Sequence, residues 1–483
     1  MSDTFGNAVE SIDPSSPETS QKKLTLLAYG VLALPLCLAE IPIILYLPAF
    51  YAQELRLSAA SVGVVFLLAR LWDGMSDILV GWLSDRTRLR WGRRKPWVVA
   101  GAPFLMASTW FLCNPPRGAS LLYLTMWAAL FYTAFTAVKI PHLSWGTELA
   151  TDYVERSRVT SFREAFTMAG NLFFVSMPLI FLADDAPLHQ VLYLIAVTTL
   201  VTVPLTTAPL SLLVHDPRVS LRAEMPLIKE VAALLKDRIL IRFLIARLTF
   251  ATEEGISNSL LVFSFSVGLQ LPNKLFWTIF ILYVTTLVAL PVTLRMARRF
   301  EKHHLIAAGL AIQGLVYGLL FLTPAGEFAP VATLYVLLGV ANTAMLSMPT
   351  SILADIIDYG EEKFGERHSG AYVAADNLIY KIGMALGVGV SFGLLSLVNF
   401  DPSATTHTAA DMRHIRVLGL GLPCLLNVLV AVLFLKHPIT RSLQRRIREK
   451  INARNGGTIG EDAGDMAGPK GRESGMVTEV AAN

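Results

Sequence analysis

Long apolar stretches separated by short polar connections dominate the hydrophobic pattern of this chain. Each is about as long as the roughly 20 residues that an α-helix needs to cross the hydrocarbon core of a bilayer. Several are interrupted by proline, so we expect tilted or kinked helices. The pattern predicts an all-α membrane protein with twelve transmembrane helices. The predicted spans are residues 24–50, 58–84, 96–114, 119–145, 162–182, 188–214, 239–268, 273–297, 305–324, 329–353, 369–398 and 413–436.

Composition favours the same class. The 483 residues are 53% hydrophobic and 16% charged, whereas soluble domains carry roughly 25% charged residues. A soluble protein would have to bury all twelve stretches as core helices, and the chain has too few polar faces for that. Its three cysteines, Cys37, Cys113 and Cys424, lie in apolar runs. We therefore expect no disulfide framework, metal site or cofactor.

Lysine and arginine are unevenly distributed over the connecting segments. One set of loops holds nineteen of them and the opposite set holds five. The richer side is expected to be cytoplasmic, which predicts a multi-pass protein of the cell inner (plasma) membrane with both termini in the cytoplasm. The lipid bilayer is the expected partner, and nucleic acid is not. The richer set comprises residues 85–95, 146–161, 215–238, 295–304 and 354–368.

The two parts of the chain are similar to each other. A basic run follows the second span and recurs after the eighth, and an acidic segment with an Asp-Tyr pair recurs after spans four and ten. Six plus six helices are typical of secondary transporters, whose site lies between the halves. The predicted parts are a disordered cytoplasmic tail (1–23), an N-terminal six-helix half (24–214), a central cytoplasmic loop (215–238), a C-terminal six-helix half (239–436) and a cytoplasmic tail (437–483).

The start of the last part, residues 436–450, is rich in arginine. It could form an amphipathic helix on anionic headgroups, or a solvated basic tail.

The second span carries charges in an apolar setting. Arg70, Asp73 and Asp77 are three and four residues apart, so they share one face of a helix. A charge near the centre of a bilayer costs at least about 2.5 kcal/mol, so such residues face a protein interior or a water-filled path. This face could hold a cation, a proton or a polar solute, or it could be an internal ion pair that only positions helices.

Three blocks of sequence resemble one known family. RLWDGMSDILVGWLSDRTRLRWGRRKPW, IPHLSWGTELATDYVERSRVTSFREAF and ADIIDYGEEKFGERHSGAYVAADNLIYKIGMALG are similar to segments of the glycoside–pentoside–hexuronide:cation symporters. These form the melibiose-carrier branch of the major facilitator superfamily. The resemblance covers about residues 24–440 and implies the major facilitator fold. The motifs are specific for the family and weak for the substrate.

The resemblance implies roles for five residues. Asp73 and Asp77 match the helix-two carboxylates of the family's cation site, and Arg70 matches the arginine one turn earlier. Arg163 matches an arginine at the start of span five, with headgroup binding at the loop edge as the alternative. Lys381 matches the lysine of span eleven, and the two aspartates are its natural partners across the cavity.

The departures from the family pattern bear on the solute. Lys139 stands where the melibiose carriers have an aspartate that serves both cation and sugar, and Leu143 replaces the aromatic that stacks on sugar. The span-one aspartate is matched by Cys37, with Glu40 one turn later, and Ile78 replaces the proline after the second helix-two aspartate. These differences put sodium coupling in doubt, and galactoside binding more so.

The local charge leads to a prediction about the coupling ion. Two aspartates, Lys139, Arg70 and Lys381 sum to about +1, which disfavours a sodium ion. Coupling, if any, is expected to be to a proton on Asp73 or Asp77, taken up when the salt bridge of that aspartate to Lys139 or Lys381 breaks during the transport cycle.

Further polar residues are candidates for contact with a small-molecule substrate. For Glu253 and the adjacent Glu254 the alternative is solvation near the outer mouth. The candidates are Glu40, Arg247, Glu253, Asn258 and Asn377.

The loop after span two adds candidates for gating. Asp85 and the basic run with Arg93 and Arg94 are expected to pair with the ends of neighbouring helices in the outward-open state and to separate as the inside opens. The alternative is a loop that serves only as a topology signal.

These observations predict a secondary transporter that works by alternating access as a monomer and takes up a small organic solute, sugar-like by resemblance, with a cation. A proton-coupled or uncoupled carrier of a vitamin or lysolipid is the alternative within transport. A membrane sensor or scaffold on a transporter fold is the alternative from another class. The sequence has no phosphate-binding GxxxxGK[ST] motif and no catalytic constellation, so neither an ATP-driven pump nor an enzyme is expected.

Overall fold

The computed structural model describes residues 17–149, 153–183, 186–216, 237–365, 369–404, 406–436, 438–451 and 453. Within these ranges the regular structure is helical, and the β-type pairing is an isolated bridge between Leu89 and Gly92. The all-α class is confirmed. The predictions for residues 1–16, 217–236 and 454–483 lie outside the described residues.

The helices alternate with short connections throughout. The N-terminal half contains α1 (Pro17–Gly30), α2 (Ala33–Leu45), α3 (Leu47–Gln53), α4 (Ala59–Arg86), α5 (Lys95–Cys113), α6 (Leu121–Glu148), α7 (Tyr153–Phe181) and α8 (Leu188–Leu213). The C-terminal half contains α9 (Arg238–Phe263), α10 (Leu275–Met296), α11 (Lys302–Leu322), α12 (Phe328–Phe364), α13 (Ser369–Leu397), α14 (Ala409–Arg416) and α15 (Leu422–Leu435), with π-helical turns at Ser264–Gly268 and Val417–Gly421 and a 3₁₀ turn at Pro272–Lys274.

Ten helical stretches of the described residues are long and apolar enough to cross a membrane. The other two predicted spans, α4 and α9, are long enough but carry several charges. Both pack against α13 inside the bundle, where Arg70, Asp73 and Asp77 of α4 and Arg247 of α9 form ion pairs. All twelve predicted spans therefore lie in helices.

Several helices run beyond the predicted spans. Helix α1 begins inside the segment expected to be a tail, α7 begins before residue 162, and α12 continues past residue 353. Backbone hydrogen bonding does not stop where the apolar composition stops, since polar side chains outside the bilayer are compatible with a helix.

The end of the bundle that carries loops 85–95 and 295–304 is called the basic end here. Residues 441–451 form a further helical segment there. Arg448 and Lys450 of this segment pair with Asp358 and Glu362 of α12, at 3.2 and 2.7 Å, and Ile447 is buried. The segment is helical and docked on α12, so a tail without protein contacts is wrong for these residues, whereas contact with anionic headgroups stays a prediction.

The two halves meet along α4 and α13. A Cβ on Gly63 would lie 2.5 Å from Phe392 Cβ, and a Cβ on Gly389 would lie 3.3 Å from a Leu67 methyl, so small residues permit this close approach. These contacts lie towards the end opposite the basic end. Tyr46 of the N-terminal half also meets Phe276 of the C-terminal half there, with ring centroids 5.7 Å apart, and the largest buried apolar cluster contains residues of both halves.

Candidate substrate and cation site

Lys381 of α13 bridges the two halves. Its Nζ lies 2.8 Å from Asp73 Oδ2 and 2.6 Å from Asp77 Oδ2, both on α4. Asp73 is 1% exposed, so its charge is balanced almost entirely by protein groups. Helical periodicity brings the carboxylates onto one face, and the close packing of α4 on α13 brings the ammonium to them. One cation is thus shared by two carboxylates, one of them deeply buried.

A hydroxyl group that the sequence reasoning missed completes this cluster. Thr136 of α6 donates to Asp77 Oδ1 at 3.0 Å and accepts from the Ser76 hydroxyl at 3.1 Å. It lies one helical turn before Lys139, and this spacing is the signal that could have found it. Asp77 is therefore held by one ammonium and one hydroxyl.

Lys139 does not pair with the helix-two aspartates, which corrects the expectation. Its Nζ donates to both carboxylate oxygens of Glu40 on α2, at 3.1 and 3.3 Å. The charge sum predicted from the sequence omits Glu40, because the sequence indicates Glu40 only as a substrate contact. With it, three carboxylates face three cations and the formal charge of the cluster is zero rather than about +1. A cluster with zero net charge does not repel a sodium ion, so the local charge does not exclude sodium coupling.

Arg70 connects the Glu40 pair to the aspartates. Its Nη1 lies 3.9 Å from Glu40 and 3.6 Å from Asp73, and its guanidinium stands 5.2 Å from the centre of the Tyr132 ring. Arg70 is 5% exposed, and its Nη2 is buried without a hydrogen-bond partner among the described residues. The guanidinium charge is thus balanced by Glu40 and Asp73, while the Nη2 atom makes no hydrogen bond to a described residue.

The C-terminal half contributes a second polar chain. Arg247 of α9 donates to Asp376 of α13 at 2.8 Å, and its guanidinium stands 4.9 Å from the Tyr380 ring. Tyr380 donates its hydroxyl to Glu254 at 2.6 Å. Sequence reasoning singled out Arg247 but missed Asp376 and Tyr380. Asp376 lies five residues and Tyr380 one residue before Lys381, and this spacing was the available signal.

The remaining candidates occupy different places. Asn258 is half-buried on α9 and Asn377 is exposed on α13. Glu253 is 3% exposed and accepts a hydrogen bond from Ser257, so the alternative of a solvated position is wrong for it. Arg163 pairs with its neighbour Glu164 rather than with the aspartates, because its place on α7 brings it next to α1.

At the basic end, Arg94 links several helix ends of the N-terminal half. Its guanidinium lies 2.6 Å from Asp85 and 2.7 Å from Glu148, which also pairs with Arg93. The backbone amide of Arg94 donates to Asp216 at 2.7 Å. Glu148 and Asp216 were not singled out from the sequence. Apart from Asp216, which follows α8, these partners belong to the N-terminal half, so among the described residues the network does not join the halves in this conformation.

An internally duplicated bundle with charges paired at the contact of its halves is the architecture of a secondary transporter. A profile of the family described as MFS/sugar transport protein matches residues 28–441, and the chain belongs to this family. The resemblance to the glycoside–pentoside–hexuronide:cation symporters and the major facilitator fold are thereby confirmed. The protein is a multi-pass membrane transporter.

Relatives whose names state a function are distant but cover most of the chain. An isoprimeverose transporter of Lactiplantibacillus pentosus is 26% identical over 81% of this chain and 84% of its own. A putative glycoside/cation symporter, YagG, of Escherichia coli is 24% identical over 83% of this chain and 89% of its own. Among solved structures, a D-xylose–proton symporter matches with a TM-score of 0.60 at 14% identity, covering 88% of this chain and 99% of that one.

Proposed function

We propose that this protein takes up a sugar-like solute by alternating access, with coupling to a cation, and leaves the solute chemically unchanged. The observation that carries the proposal is the pair of contacts from Lys381 to Asp73 and Asp77. These contacts join the halves at the level where transporters of this architecture bind their solutes. A cycle that separates α4 from α13 must break them, so any cation that replaces the ammonium favours the separated state.

The groups around the contact suit a solute rich in hydroxyls. On one side stand the Glu40–Lys139 pair and Arg70, and on the other the half-buried Tyr380 and Glu254. Such a mixture of donors, acceptors and an aromatic ring orients polar solutes in protein sites. The similarity to an isoprimeverose transporter and to a putative glycoside/cation symporter supports a glycoside or a pentose-containing sugar as the solute.

The coupling ion in this proposal is a proton. Sodium prefers several oxygen ligands, but the Lys381 ammonium already sits between the two carboxylates and Lys139 takes the place of a third. A proton needs only one carboxylate oxygen. Protonation of Asp77, the more exposed of the two, would weaken its contact with Lys381 without requiring a coordination shell.

Uptake by proteoliposomes tests both the solute and the ion. With labelled isoprimeverose and D-xylose, we expect accumulation when the outside is more acidic than the inside, so that protons flow inward. A protonophore should abolish this accumulation, and replacement of sodium by choline should leave it unchanged. Steep sodium dependence would contradict the proton assignment. Transport of nucleosides, vitamins or lysolipids instead of either sugar would contradict the sugar assignment and leave the carrier mechanism in place.

The proposal places the basic end in the cytoplasm of a monomer in the inner membrane, with both termini on that side. In a background without Cys37, Cys113 and Cys424, we expect an impermeant thiol reagent to label Ala325→Cys in intact cells and to label Arg90→Cys only after permeabilisation. Both positions are exposed, so access to the reagent decides the result. Labelling of position 90 in intact cells would reverse the orientation.

A further inference from the structure

Glu253 is a buried acid that the proposed transport mechanism does not use. It is 3% exposed and lies on α9, fifteen residues after the first residue of that helix, or about 22 Å along it at 1.5 Å per residue. That depth is inside the hydrocarbon region of a bilayer whose core is about 30 Å thick. The adjacent Glu254 is half-buried and accepts from Tyr380, so the two acids project into different surroundings.

The surroundings of Glu253 are neutral hydrogen-bonding groups from three helices. Ser257, one turn later on α9, donates its hydroxyl to Glu253 Oε1 at 2.8 Å. Asn427 of α15 is fully buried and lies within hydrogen-bonding reach of the carboxyl. Tyr317 of α11 is next to it. Among the ion pairs of the described residues, none includes Glu253.

One buried acceptor atom in this cluster lacks a hydrogen-bond donor among the described residues. The Asn427 amide donates to the Pro423 carbonyl at 3.0 Å, but its own oxygen Oδ1 is buried and accepts no hydrogen bond from a described residue. An ionised carboxylate has no hydrogen to offer this oxygen, whereas a protonated carboxyl has one. A buried acceptor without a donor is unfavourable, and a buried charge without a counter-charge is more so. Protonation of Glu253 removes both.

We propose that Glu253 is a proton-binding site inside the C-terminal half, in which the carboxyl O–H donates to Asn427 Oδ1 while the other oxygen accepts from Ser257. Binding adds one proton to one carboxylate oxygen, and release returns it to water. Among the described residues, the titratable groups that act on this carboxyl are Tyr317 on α11, which lies next to it, and Glu254, which follows it on the same helix and projects away from it. Because this site is separate from Asp73 and Asp77, it offers the proposed proton coupling a second place for a proton.

Infrared difference spectroscopy on the purified full-length protein tests the site without any solute. At neutral pH we expect a carbonyl band of a protonated carboxyl that is lost in Glu253→Gln and kept in Glu362→Gln, whose parent carboxylate pairs with Lys450 at 2.7 Å. Asn427→Leu keeps the acid but removes the acceptor, so we expect the band to persist at a shifted frequency.

Each of the two variants has its own outcome that would contradict the inference. If the protonated-carboxyl band is unchanged in Glu253→Gln, Glu253 is ionised in the unmodified protein. If the frequency of the band is unchanged in Asn427→Leu, the carboxyl does not donate its proton to Asn427. This second variant tests the proton-binding site even if Glu253→Gln does not fold. The inference rests on the proposed function only for its use in coupling, since failure of sugar uptake would leave the spectrum unchanged.

Discussion

Replacement of Lys381 by methionine is expected to abolish accumulation of the solute and to make the protein responsive to sodium. The substitution leaves Asp73 and Asp77 without their shared cation while keeping an unbranched side chain of similar length. Removal of one partner of a buried ion pair typically destabilises a protein by about 3–5 kcal/mol. The two carboxylates and the Thr136 hydroxyl would then form an oxygen-lined, negatively charged site that suits a small cation.

Thermal unfolding of the purified variant in sodium or choline measures this effect. We expect sodium to raise the unfolding temperature of Lys381→Met and to leave that of the unmodified protein unchanged. A cation at 100 times its dissociation constant stabilises the bound state by about 2.7 kcal/mol, enough to be resolved in such a scan.

Lys450→Met is the matched control, because Lys450 pairs with Glu362 at the surface with 70% of its side chain exposed. Surface pairs contribute about 0–1 kcal/mol, so we expect little change there in either salt. A Lys381→Met protein that is as stable as the control and indifferent to sodium would show that Lys381 does not hold the two carboxylates together.

The most predictable part of this molecule is the part fixed by periodicity along one helix. Arg70, Asp73 and Asp77 had to share a face because 3.6 residues make one turn. The long apolar runs had to become helices because a bilayer offers the backbone no other hydrogen-bond partners. The lysine of α13 could be assigned to the aspartates because a buried charge requires a partner and the family resemblance supplied the right element.

Contacts between helices were less predictable, because they depend on how each helix is rotated about its axis. Lys139 could reach either α4 or α2, and the structure pairs it with Glu40. Glu253 and Glu254 project about 100° apart, so their different surroundings could not be read from their adjacent places in the chain. The same applies to Arg163, which meets α1 instead of the central cluster.

Removal of the Arg94 side chain is expected to loosen the basic end of the N-terminal half. Arg94 is 4% exposed and its guanidinium contacts Asp85, Glu148 and the Ser84 hydroxyl. Arg94→Ala leaves these groups without a shared donor, and we expect a loss of stability in the range of about 3–5 kcal/mol that holds for broken buried pairs. Since the network lies within one half, its loss should loosen the ends of α4 and α6 together and leave the contact between the halves unaffected.

Asp85→Asn separates this structural role from gating, because 48% of the Asp85 side chain is exposed and the substitution keeps its shape. An exposed pair contributes about 0–1 kcal/mol, so we expect nearly unchanged thermal unfolding in Asp85→Asn and a marked decrease in Arg94→Ala. A cysteine introduced by Asn377→Cys, on the opposite half, should react with a thiol reagent equally fast in both variants. If Asp85→Asn alone changed that accessibility, Asp85 would contact the other half in a further state of the cycle. The loop would then act as a gate between the halves rather than as a brace within one of them.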